Sequence, residues 1–89
     1  MSNAAPTRTV KAWREDCPLK IWRRENGWTQ HDVATSLNFA VVTIKVWESG
    51  SRDRAPSDVG MAAIASLIGA DPDELANQWV EWLASAPAA

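Results

Sequence analysis

Gly27-Trp28-Thr29-Gln30-His31-Asp32-Val33-Ala34-Thr35-Ser36-Leu37-Asn38-Phe39-Ala40-Val41-Val42-Thr43-Ile44-Lys45-Val46-Trp47-Glu48-Ser49-Gly50 is the stretch on which the reading of the fold turns. It reads as two short helices joined by a tight turn, with a glycine at each end. Thr29 is a good N-cap, because its hydroxyl accepts a bond from an orphan amide of the first turn. Asp32 follows three residues later in the pattern of a capping box, although aspartate is shorter than the usual glutamate or glutamine. Trp28 and Val33 occupy the two positions of a hydrophobic staple. Val33, Ala34 and Leu37 form an apolar stripe at helical spacing, and Asn38 tolerates the left-handed conformation that ends helices.

The second half poses a conflict. Val42-Thr43-Ile44-Lys45-Val46 alternates apolar and polar and is rich in β-branched residues, which by propensity favours a strand. No convincing partner strand exists elsewhere in the chain, and an isolated strand is unstable. The helical reading therefore prevails. It puts Ala40, Ile44, Trp47 and Glu48 on one face and Val42, Lys45, Val46 and Ser49 on the other.

Leu19-Lys20, Trp22-Arg23, Gly27-Trp28-Thr29-Gln30, Val33-Ala34, Leu37, Ile44 and Trp47-Glu48-Ser49-Gly50, in that spacing, resemble the lambda-repressor-like helix-turn-helix family of Cro-type (xenobiotic-response-element-type) regulators. The resemblance spans roughly residues 18 to 83. Its Thr-Gln-x-x-Val-Ala and Trp-Glu-x-Gly pieces are specific in combination and weak singly. It implies an all-α, compact five-helix domain with the helix-turn-helix at about residues 29–48. A short extra N-terminal helix around Trp13 is an addition that the family core does not require.

Eighty-nine residues suffice for one domain with a limited core. Six Trp against one Phe and no Tyr is unusual, and so few large rings can carry much of that core. The lone Cys17 leaves no intrachain disulfide or cysteine zinc site. No segment has the length of a membrane span and no hydrophobic signal region precedes the domain, so the expected location is the cytoplasm of a bacterial or phage-infected cell. The net charge of −2 counts against nucleic acid until its distribution is considered. All nine Lys and Arg lie at or before Arg54 with six acids, a balance of +3, whereas residues 55–89 hold five acids and no base, a balance of −5. Such asymmetry suggests one face for an anionic partner and another that repels it.

Residues 1–9 are small and polar and are expected to be disordered, and Met1–Ala4 can include a cloning remnant. The helix-turn-helix domain is expected over residues 10–84, with 85–89 frayed. Asp16 or Cys17 caps a helix that has Pro18 early, carries Leu19 and Trp22 inward and stops at Gly27. Ile21 points away from that stripe, so it either meets Trp13 or lies bare. Ser57 caps a helix running through Ile68, with Met61, Ile64, Ala65 and Ile68 inward and Gly69 at its end. Asp71-Pro72-Asp73-Glu74 is a strong helix start, followed by Leu75, Trp79, Trp82 and Leu83 at helical spacing.

The resemblance implies double-stranded DNA as partner, with residues of about 40–48 entering the major groove. Residue by residue, Gln30 takes a phosphate-contacting position, Val41, Val42, Thr43 and Val46 the base-reading ones, and Ser49, Arg52 and Arg54 the phosphate positions that follow. Arg24 is a further phosphate candidate. Lys45 joins Thr43 as a polar base contact. Arg23 and Glu48 are implied to meet as a largely buried ion pair. The valines depart from the family pattern, which favours hydrogen-bonding side chains there. They can pack on thymine methyls, so A·T-containing steps are the expected preference. Ala40, in place of a capping Ser or Thr, is a second departure that weakens the helix start by about 1 kcal/mol.

A homodimer on DNA is implied, with the last helix and the Trp13 arm as candidate dimer surfaces. Exposed valines have a competing explanation as a protein interface. On that alternative the chain is an antitoxin or phage accessory protein that holds a protein partner through Val42 and Val46. His31 is a lone surface histidine, and the acids near Asp71 are accounted for by capping. No catalytic constellation, metal-ligand spacing or cofactor motif is present, so no enzyme and no cofactor is expected.

Overall fold

A computed structural model describes residues 8–87. Among them lie six helices and no strand: α1 (Val10–Arg14), α2 (Pro18–Glu25), α3 (Gln30–Leu37), α4 (Val41–Glu48), α5 (Asp58–Ile68) and α6 (Pro72–Ala84). The β-branched segment is therefore helical. Ile44 is fully buried and Trp47 and Glu48 nearly so, and burial of one helical face outweighs the weak strand propensity of valine. Ala40 is the correction on this face. It is exposed and sits at the N-cap without a side-chain bond, one residue too early to point inward.

Local signals account for the boundaries. Thr29 and Asp32 close a complete capping box, the Thr29 hydroxyl accepting from the Asp32 amide at 3.0 Å and the Asp32 carboxylate from the Thr29 amide at 2.8 Å. That backbone bond holds the Asp32 carboxyl below its ordinary pKa. Asn38 ends α3 at φ 60°, in the left-handed region that its short polar side chain tolerates. Ser57 caps α5, and Asp71 accepts from the amides of Asp73 and Glu74 at the start of α6.

The core gathers Leu19 of α2, Val33 and Ala34 of α3, Ile44 and Trp47 of α4, Met61, Ile64 and Ala65 of α5, and Leu75, Trp79 and Trp82 of α6. α3 packs most extensively on α4, while α6 lies across α2 and α5.

The N-terminal arm forms the short extra helix anticipated around Trp13 and packs on the domain, but the partner of Trp13 is not Ile21. The segment preceding residue 8 lies outside the described residues, but Arg8 pairs with Asp16 and Thr9 caps α1. Trp13 is 4% exposed and stacks on Trp82, with centroids 4.5 Å apart and planes 15° from parallel. Each indole N–H donates to the other residue's carbonyl, Trp13 to Trp82 at 2.8 Å and Trp82 to Trp13 at 3.0 Å. Trp13 thus meets the last helix, not Ile21, and its ring is not free for a dimer contact. Ser85, expected to be frayed, caps α6 and donates its hydroxyl to the Trp82 carbonyl.

Cys17 is fully buried at the start of α2. Burial pushes its thiol from 9.0 up to about 12. The folded value lies above the unfolded one. The neutral thiol therefore favours the fold fully below pH 9.0, and that contribution is lost as pH climbs toward about 12. Cys17→Ala should accordingly lag the wild type most near neutrality, and the gap in urea stability should narrow through the alkaline range. A gap independent of pH refutes this.

Candidate nucleic-acid interface

The junction of α2, α3 and α4 is organised by Glu48, which is 4% exposed. Arg23 reaches it from α2 with a bidentate fork, Nε to Oε2 at 2.8 Å and Nη2 to Oε1 at 2.7 Å. The remaining Arg23 amine donates to the Trp28 carbonyl at 3.1 Å. Gln30 joins from the start of α3, its amide donating to Glu48 Oε1 at 3.0 Å. The carboxylate raises the Arg23 pKa above its ordinary value. One buried acid therefore ties three helices together. Trp28 packs edge-on against Trp22 at 5.1 Å beside this joint.

The opposite side of α4 faces outward. Val42 is 60% exposed and Lys45 is exposed. Thr43 and Val46 are half-buried, and so is Val41, which packs against the core. Val42, Thr43, Val46, Trp47 and Arg54 together line a concavity of about 260 Å³. Two of these five were hard to place from the sequence. Arg54 comes from the loop after α4, and Trp47, though nearly buried, lends its ring to the floor. Phe39 meets that ring edge-on at 5.2 Å. A Cβ on Gly60 would lie 2.9 Å from it, so glycine is what lets α5 approach.

The other candidate residues are not all gathered there. Ser49 donates its hydroxyl to the Val46 carbonyl at 2.6 Å, finishing α4. Arg52 turns toward α6 and donates to the Leu83 carbonyl at 3.0 Å. Arg24 donates to the Glu15 carboxylate at 2.7 Å, which it shares with Lys20. Arg14, unremarked in the sequence, donates to the Ser49 carbonyl at 2.9 Å and braces the end of α4 from α1.

α3 and α4 are two consecutive helices separated by a left-handed asparagine, and the second has one face buried and the other bare. A family model described as a helix-turn-helix domain matches residues 17–78 of the sequence. The chain belongs to this helix-turn-helix family. Neither a curated protein nor a solved structure matches it. In the helix-turn-helix domain, α3 and α4 are the paired helices, α2, α5 and α6 support them, and α1 lies outside the matched region. Membership suggests a DNA-binding regulator. Among the described residues, no cluster of His, Cys, Asp or Glu is placed to hold a metal ion, and no helix is long and apolar enough to cross a membrane.

Proposed function

We propose that this helix-turn-helix protein is a sequence-specific double-stranded DNA-binding transcriptional regulator of the repressor type, with α4 in the major groove. The observation that carries the reading is the two-sidedness of α4. Its inner face is sealed by Ile44, Trp47 and Glu48, while Val42 and Lys45 stand free. Val41, Val42, Thr43, Lys45 and Val46 are assigned to the bases, Val41 with only its uncovered edge. Gln30 and Arg54 are assigned to phosphates, Gln30 through its second amide hydrogen and the neighbouring free backbone amides of α3. Arg24, Ser49 and Arg52 are weaker phosphate candidates, because each already has an internal partner. The exposed Arg24–Glu15 pair is worth little, and the exposed Arg52 bond to the Leu83 carbonyl can likewise be exchanged for phosphate.

A homodimer is part of this reading, since paired half-sites about 34–36 Å apart supply affinity that one small domain lacks. The expected setting is the bacterial or phage-infected cytoplasm. We take residues 10–84 as the functional unit.

Binding to random duplexes with enrichment, repeated across a salt series, tests it. A palindromic site should emerge, and log affinity should fall with log salt by about 0.9 per phosphate neutralised. Arg54→Ala should lower that slope by about 1. The exposed Val42 also supports a second reading, a protein-interaction module such as an antitoxin. Failure to retain any duplex at low salt would favour it.

A further inference from the structure

The outward concavity on α4 has an unusual lining for a surface that reads bases. Of its five residues, Val42 and Val46 are aliphatic and stand one helical turn apart, Trp47 offers a largely apolar ring with a single N–H donor, and Thr43 and Arg54 carry the remaining hydrogen-bonding side chains. The only apolar group that base edges present in the major groove is the C5-methyl of thymine. We propose that Val42, Thr43, Val46, Trp47 and Arg54 form a seat for the C5-methyl of a major-groove pyrimidine. The recognised unit is the methyl, so 5-methylcytosine is bound in preference to cytosine. The proposal rests on the DNA-binding reading and deepens it.

The chemistry of the lining makes the two methylated pyrimidines equivalent at this seat. An aliphatic wall senses the methyl and not the ring's exocyclic group. The groups that differ are the carbonyl acceptor of thymine and the amino donor of cytosine. Thr43, beside the valines, has a hydroxyl that both donates and accepts, so it satisfies either. Arg54 at the rim supplies the positive charge that draws the adjoining phosphate. The floor is held in place by Phe39 against Trp47 and by the close approach of Gly60. An open concavity of about 260 Å³ with a braced floor offers the methyl an apolar surface to cover. Burying one such group amounts to about fourfold in affinity.

The experiment starts from the duplex enriched by the wild-type protein. Thymines are replaced one at a time by deoxyuridine, which removes only the methyl, and cytosines by 5-methylcytosine, which adds only the methyl. At one or two positions per half-site deoxyuridine should weaken binding by about fourfold. A thymine-to-cytosine change there should weaken it too, and 5-methylcytosine should recover about fourfold of that loss. Val42→Ser and Val42→Asn, at a mostly exposed position, replace the aliphatic wall by a polar one and should each lower the thymine-to-uracil ratio toward one. Equal binding of thymine and uracil duplexes by the wild type overturns the seat, as does a ratio unchanged in both variants. A response to uracil without one to 5-methylcytosine keeps the seat for thymine and overturns its extension to methylated cytosine. Absence of any duplex binding removes the DNA reading itself, a result distinct from all of these.

Discussion

Glu48→Ala should lower the folding stability by roughly 3–5 kcal/mol, because it strands the Arg23 guanidinium where the side chain is only 12% exposed. The same change leaves the Gln30 amide without its acceptor and releases the start of α3 from the end of α4. For a domain of this length that is a large share of the whole stability. Urea denaturation read by tryptophan fluorescence measures it directly. A loss of under about 1 kcal/mol would mean that the joint behaves as a solvated surface pair. A paired replacement, Arg23→Met with Glu48→Leu, should recover most of the loss, since well-packed apolar groups often replace buried ion pairs at little cost. Such a variant should remain folded yet bind DNA poorly, because Gln30 at the start of α3 would lose the acceptor on α4 that positions it.

Trp13→Ala comes second in size, at about 3–5 kcal/mol. α1 has five residues, too few to stand as a helix without tertiary support. What holds it is the Trp13–Trp82 stack with its reciprocal N–H to carbonyl bonds. Without the indole, Trp82 loses a face of contact and α1 loses its anchor. The near-ultraviolet circular dichroism of the stacked rings should collapse, and amide exchange over residues 9–17 should accelerate. Trp13→Phe, which keeps an aromatic stack and deletes the N–H donor, should cost less. The joint can also be approached from the other side. Gly50 lies at φ 81°, and a Cβ there would lie 2.2 Å from the Trp13 ring, so Gly50→Ala should reproduce the loss of α1 with the tryptophan intact. Native-like amide protection of α1 in both variants would show that the stack does not hold it.

The elements of this fold were legible because their signals act within one or two turns. Thr29 with Asp32, Asn38, Ser57, Gly69 and Asp71 before Pro72 each satisfy or end a helix through groups no more than a few residues away. The choice of helix over strand for residues 41–48 was also legible, though it needed the whole chain, since it turned on the lack of a pairing strand. Trp13 was not legible: its partner is Trp82, and nothing in the local pattern distinguishes that ring from Ile21 as a neighbour. Arg52 and Arg54 look alike in the sequence, yet one turns to α6 and the other to α4.

By itself, then, the sequence determined the helices, their ends, their inward stripes and the family, because capping and periodicity are short-range properties of the chain. Tertiary structure alone decided which arginine borders the outward valines, that Trp47 opens onto them, and that α1 is clasped to α6. Those outcomes depend on how packed helices bring together side chains tens of residues apart, and no local spacing encodes that distance.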